Sequence, residues 1–432
     1  MQRNLNWKVG AIFFVSTILL FLGFDRNLWR LSPAESFSSF QQDSESLVLG
    51  RLVESRQAGI FSEGALLGWG DAASPNLTTD DYDRQYRVYL SGGSFDSYLV
   101  YESQSGMQAT FFSALDAVSP FSSAQNLRLF RAFTALLTAL TLSALVVWFL
   151  LEFGWITALV VLVTTLGSMW ITYYGRNLFY SIWTYFLPMV VVLFLLRRES
   201  RGGAWKERNL CLVIFGLVFF KGIFTGYDFL LPPLGMLAAA LIFYALKDSW
   251  TFGKTARRIA LTAAFSIAGI LLSFLVVAAQ VGAVTGHFSD GLVHLADTIG
   301  RRTVGETLDP SQAGVYELAG AAGLWSVVDA LLHKSAIMIG VKYIHLVYFF
   351  LGVTALLLLA LWLRKGTRTD YALVATTWIS LLAPLSWVVL FKAHAAFHAH
   401  TTSIIWHMPF VIFGYALFGQ LLTVLLRQRT TA

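Results

Sequence analysis

Ten stretches of this chain are apolar over about 16 to 28 residues, and runs of that length leave few ways to fold. They lie near 9–24, 132–152, 155–173, 178–196, 209–225, 230–246, 259–282, 336–363, 371–391 and 402–426. About 20 apolar residues in a helix cross the roughly 30 Å hydrocarbon core of a bilayer. Charged residues make up only 13% of the chain and hydrophobic ones 56%, whereas a soluble chain carries about a quarter charged residues. The expectation is an all-α polytopic membrane protein of about ten transmembrane helices, a single integral membrane domain over 1–432. One cysteine, Cys211, excludes an internal disulfide framework and a multi-cysteine metal site. The first run has basic flanks and no small-residue cleavage site after it, so it reads as a retained signal anchor.

Basic residues alternate with the runs. Arg3 and Lys8, then Arg197 to Arg208, Lys247 to Arg258, Arg364 to Arg368, and finally Arg427 and Arg429, all fall on one side of the alternating topology. The positive-inside rule assigns that side, and both termini, to the cytoplasm. The pI of about 9.3 follows from this pattern, and nucleic acid is not implied as a partner.

The opposite face receives an acidic loop, 25–131, holding 13 of the 25 carboxylates, and a smaller loop, 283–335. Within the first loop, Ser44–Arg56 and Leu115–Phe130 have the spacing of amphipathic helices lying along the membrane surface. Asp43 and Glu45 precede the first of these, so both read as first-turn carboxylates kept ionised by the helix dipole. Each is a candidate general base or simply a cap. Asp25 ends the first run and is either a base at headgroup depth or a partner of Arg26.

Candidate phosphate ligands are Arg176 in an aromatic-ringed turn, Lys221 inside a run, Lys392, and the pair Arg301 and Arg302. Lys221 also reads as an ion-pair partner of Asp228. Arg301 and Arg302 also read as a mobile patch paired with Glu306 and Asp309. Tyr227, Asp228, Gln104, His394, His398 and His400 complete the set of candidate substrate-binding residues. His394 and His398 have i, i+4 spacing, but no carboxylate lies in their segment, so hydrogen bonding is favoured over a metal. No cofactor is expected.

This pattern resembles the GT-C superfamily of integral membrane glycosyltransferases. The resemblance lies in the long first loop, in Asp43 and Glu45 leading a helix that closes on Gly59, and in the segment from Tyr101 and Gln104 to Gln108. Ser44 separates two acids that are adjacent in many members. The resemblance implies a polyprenyl-phosphate sugar donor and a glycan, lipid or protein acceptor. It also implies inversion, a first-loop carboxylate as base, and a site facing the exterior of a bacterial inner membrane. The alternatives are a cell-surface polysaccharide polymerase or ligase, whose large outer loop falls late in the chain, and a membrane transporter, for which broken helices at Pro188 and Pro232–Pro233 are the main signal.

Overall fold

The structure is a computed structural model describing residues 2–72, 78–203, 205–305, 318–337 and 340–426; the side chains of 2–6, Gln41 and Asp43 lie outside that description. The ten apolar runs fall largely on helix. Six helical segments are long and apolar enough to cross a membrane: α1 (Gln2–Arg26, apolar from Trp7), α5 (Ser123–Phe153), α9 (Glu207–Thr225), α11 (Phe252–Thr285), α14 (Tyr343–Arg364) and the continuous stretch α15 (Arg368–Ser380) with α16 (Leu382–Leu390). A seventh is met if α6 (Trp155–Leu166) and α7 (Met169–Gly175), bent by 69°, count as one. The bend falls at Gly167 and Ser168, where the Ser168 hydroxyl caps α7 by accepting from the Ile171 amide. The other runs lie on α8 (Trp183–Ser200), α10 (Leu231–Lys247) and α18 (Phe410–Leu426), the last two being shorter apolar helices. The chain is thus a mostly helical membrane protein.

One end of the bundle gathers basic residues. Glu152, at the end of α5, accepts from Lys247 Nζ at 2.7 Å and the Tyr244 hydroxyl at 3.0 Å, with Arg197 Nη1 at 3.3 Å. Nearby, Arg258 grips Glu199 with both terminal nitrogens, at 2.8 and 3.0 Å. These residues come from the segments that sequence analysis assigned to one side, and the structure brings them to one end. The two loops lie at the other, hereafter the loop end.

The first loop has its own core. Residues Leu47, Val48, Leu49, Leu52 and Val53 of α2 (Ala34–Ala58) are buried against Leu67, Tyr89, Phe112 and Phe130. Around α2 lie α3 (Thr79–Ser91), α4 (Met107–Val118) and an antiparallel pair, β1 (Leu67–Gly70) with β2 (Tyr98–Tyr101), in register Leu67 to Tyr101. Three expectations are corrected here. First, α2 starts at Ala34 behind Pro33, so Asp43 and Glu45 lie well inside the helix and its N-terminal dipole does not reach them. Second, the middle of α2 is buried on all sides rather than lying on a surface. Third, the chain breaks at Ser119 and Pro120, and α5 begins at Ser123 under a capping box from Ser122 and Gln125.

The second loop carries α12 (Phe288–Thr303) and α13 (Leu324–Leu332), with 306–317 outside the described residues. The pairing expected for Glu306 and Asp309 therefore lies outside them too. A short helix, α17 (Lys392–Phe397), carries His394 between α16 and α18.

Candidate active site

Two clusters of ionisable residues occupy the loop end. The first forms where α9 stops. Gly226 has φ +66°, and an added Cβ would lie 2.6 Å from Gln104 Cγ, so glycine is required for the turn and for the close approach of the first loop. Lys221 closes this turn. Its Nζ donates to the carbonyls of Gly226 and Asp228, both at 2.7 Å, and lies 4.4 Å above the Tyr185 ring. An ammonium placed so satisfies carbonyls that a helix end leaves unpaired. The expected Lys221–Asp228 ion pair is therefore corrected: the contact is to the main chain.

The Asp228 carboxylate is taken by other groups. Arg302 Nη1 donates to it at 2.5 Å, Gln104 Nε2 donates to its second oxygen, and His394 Nε2 lies 3.9 Å away. Arg302 also sits 4.9 Å over the Tyr227 ring. Burial opposes its charge, but Asp228, Tyr101 and Tyr227 outweigh burial and push its pKa up. The expected mobile patch is thus corrected: Arg302 is buried in this pair, and Arg301 is bonded to Asp297 at 2.8 Å on its own helix. His394 and His398 stack with ring centroids 4.5 Å apart. Burial holds the His394 pKa well below its usual value, and the charge of Arg302 adds to this. Burial likewise lowers His398 to about 4. Both rings are neutral at neutral pH and serve as hydrogen-bonding groups, so the His394–Asp228 approach is not an ion pair. The Tyr227 hydroxyl is raised to about 12, first by burial, and remains a phenol.

The second cluster sits where α1, α2, α5 and α7 meet. Glu45, fully buried, accepts from Arg131 Nε at 2.9 Å and Nη2 at 2.5 Å, the Tyr86 hydroxyl at 3.1 Å and the Leu178 amide at 3.3 Å. Next to it, Asn177 donates to Ser44 Oγ and accepts from the Phe179 and Tyr180 amides, which fixes the turn after α7. That turn aims Arg176 at the end of α1. Its Nη1 donates to the Asp25 carbonyl at 2.9 Å, its guanidinium lies 4.2 Å over Phe37, and its buried Nε has no hydrogen-bond partner among the described residues. Burial, then the charge of Arg131, lowers the Arg176 pKa to about 10. The Asp25 carboxylate, by contrast, is 13% exposed and bonded only through one oxygen to Arg26, itself 77% exposed.

An aromatic seam joins the clusters. Phe37 packs on Tyr173, Tyr173 on Phe40, Phe40 on Tyr174, and Tyr174 on Phe229, beside Asp228; Phe229 then meets Trp387, which meets His394. Tyr180 stacks on Tyr174 with centroids 4.6 Å apart.

Of the candidates, Gln104, Lys221, Tyr227, Asp228, Arg302, His394 and His398 come together around one turn, and Asp25, Glu45 and Arg176 around another. Lys392 is half-buried with no ion-pair partner among the described residues, and exposed His400 lies 5.9 Å from His398. The Asp43 side chain lies outside the described residues. Sequence reasoning missed Arg131, Tyr86 and Trp387. Arg131 carried a usable signal, as a lone cation at the head of an apolar run. Compared with protein-family models, curated proteins and solved structures, the chain matches none.

Proposed function

We propose that the chain is an inverting membrane glycosyltransferase, moving a sugar from a polyprenyl-phosphate donor to a glycan, lipid or protein acceptor. The observation that carries this reading is the aromatic seam running from an accessible carboxylate, Asp25, to a cluster of cations and neutral imidazoles. Aromatic faces with a few converging polar groups suit a sugar. We read ten spans with both termini cytoplasmic, the loop end facing the exterior of a bacterial plasma membrane. The alternating basic segments support that reading.

The structural facts favour Asp25 over Glu45 as the base. A general base needs a lone pair free to take a proton. Glu45 accepts four hydrogen bonds, two from one guanidinium, whereas one Asp25 oxygen has no partner among the described residues. In this mechanism Asp25 removes the acceptor hydroxyl proton and the acceptor oxygen attacks the anomeric carbon. The bond to phosphate breaks, and its electron pair leaves on the lipid phosphate. Among the described residues, neither Arg176 nor Lys392 bonds a carboxylate, and neither closes a helix end as Lys221 does. These two cations are the groups suited to stabilise the departing phosphate. Holding both substrates in line supplies much of the acceleration. Glu45 acts by fixing Arg131 and the 176–180 turn.

The test is turnover of the purified protein in liposomes with a panel of polyprenyl-phosphate sugars. Asp25→Asn is expected to lose about 10²–10⁴-fold in turnover with donor binding intact. If Asp25→Asn stays near wild type while Asp43→Asn or Glu45→Gln is inactive and folded, the base belongs to α2. Absence of sugar transfer from every donor defeats the reading itself.

A further inference from the structure

Helix α12 is amphipathic in the reverse sense for a water-facing element. The side turned inward carries Gly291, Leu295, Thr298 and Arg302, flanked by His294, Asp297 and Arg301. His294 Nδ1 lies 3.0 Å from Glu102, Arg301 bonds Asp297, and Arg302 bonds Asp228. The side turned outward carries Phe288, Leu292, Val293 and Ile299, followed by Val304, each between 45% and 57% exposed. A helix bordering water shows the opposite arrangement, its apolar stripe toward the core.

The course of α12 points the same way. After the reversal at Gly286 it runs back along α11, and any side chain on Gly291 would collide with the main chain of Ala278. At its far end Arg302 lies over Tyr227, whose ring packs against Phe274 of α11 at 5.3 Å. Phe274 is eleven residues before the end of α11 at Thr285, roughly 16 Å down at 1.5 Å per residue. At that level the free side of α11 exposes Leu271, Leu272 and Leu275. The outward face of α12 thus continues the apolar surface of a membrane-spanning helix.

We infer that α12 is a re-entrant helix embedded in the loop-end leaflet, its apolar face in lipid and its polar face forming a wall of the Asp228 cluster. The occupant of the outward face is the bilayer itself. Water there would leave a contiguous apolar strip uncovered, whereas hydrocarbon meets it as it meets α11. Non-spanning backbone at membrane depth is tolerated where it is backed by protein, and α11 and the turn at Asp228 back α12. The inference goes beyond the proposed transferase activity and does not depend on it.

Collision accessibility of spin labels in proteoliposomes tests this without any turnover. In a Cys211→Ser background, labels would be set at Leu292→Cys, Val293→Cys and Ile299→Cys. Leu275→Cys on α11 serves as the lipid reference and Ser94→Cys at an exposed tip of the first loop as the aqueous one. The oxygen-to-nickel-chelate accessibility ratio is expected to be close to that at Leu275 and well above that at Ser94. A ratio like that at Ser94 overturns the inference. So does protection from both reagents, which would mean that a second copy of the chain covers the face.

Discussion

Glu152 at the basic end and Asp228 at the loop end are both buried carboxylates facing cations, but they are held differently. Every partner of Glu152 named above sits on a packed helix: Arg197 on α8, Tyr244 and Lys247 on α10. Asp228 is held by the first loop through Gln104 and by α12 through Arg302, with His394 of α17 beside it. The first arrangement ties helices that already pack together. The second exists only when three segments far apart in sequence have converged, so its geometry reports the state of the loops. A buried ion pair is weak evidence of net stability, yet removing one partner leaves an uncompensated charge. The two carboxylates therefore share an energetic cost and differ in what else depends on them.

Substitution of each separates these roles. Glu152→Gln leaves Arg197 and Lys247 facing a neutral amide and is expected to cost about 3–5 kcal/mol of stability. Turnover of the protein that remains folded should be unchanged. Asp228→Asn should cost a similar amount and also lower turnover of the folded fraction by about 10²-fold, the scale of a misplaced reacting group. Denaturant titration in detergent alongside turnover per folded molecule gives both numbers. Equal turnover in the two variants would erase the distinction between the ends.

Arg176→Lys sharpens the comparison at the second loop-end cluster. The substitution keeps a charge but removes the planar fork that spans the Asp25 carbonyl and the Phe37 face. Loss of one charge-assisted hydrogen bond, about 1.5–3 kcal/mol, corresponds to roughly 10- to 100-fold in turnover. If the Arg176→Lys enzyme were as active as wild type, the guanidinium would have no role in the reaction.

Acid should weaken the protein through the two stacked histidines of the loop end. Their usual pKa is 6.5, while burial lowers His398 to about 4 and holds His394 well below that usual value. Below 6.5 the unfolded chain binds protons that the folded chain refuses, so stability rises with pH there. The contribution is fully present above about pH 6.5 and is lost as pH falls towards 4. Thermal midpoints should fall across that window, and His394→Asn and His398→Asn should each flatten part of the fall. A midpoint constant from about pH 7 to about pH 4 would contradict the burial of both rings.

How much of this is legible in the sequence depends on the range of the interaction. Apolar runs of helical length report local physics, and all ten fall largely on helix. The true start of α2 is hidden because the segment 36–46 is too polar to show a hydrophobic period. Pro33 with Phe37 and Phe40 at i, i+3 is the available signal, since those two rings pack on Tyr173 and Tyr174. The clusters are legible only as separate pieces. Arg131 lies 86 residues from Glu45, and Arg302 lies 74 from Asp228, and nothing local to either residue encodes its partner. Lys221 shows the converse error: it lies near Asp228 in sequence, and the charge pair inferred from that is a main-chain cap.

Lys392 should give the smallest effect, and its size is informative. It is half-buried on α17 beside the His394–His398 stack and has no ion-pair partner among the described residues. A cation on a flexible stem near solvent gains about 0.2–1 kcal/mol from a charged partner. Lys392→Ala should therefore raise the donor KM by about two- to fivefold and leave kcat unchanged, while Lys392→Arg should restore most of the loss. Because such an interaction is screened by salt, the difference from wild type should shrink between about 50 mM and about 0.5 M salt. A loss of about 10²-fold in kcat would instead move Lys392 into the reacting geometry alongside Arg176. No change in KM even at low salt would remove Lys392 from the phosphate altogether, leaving Arg176 as the only cation assigned to it.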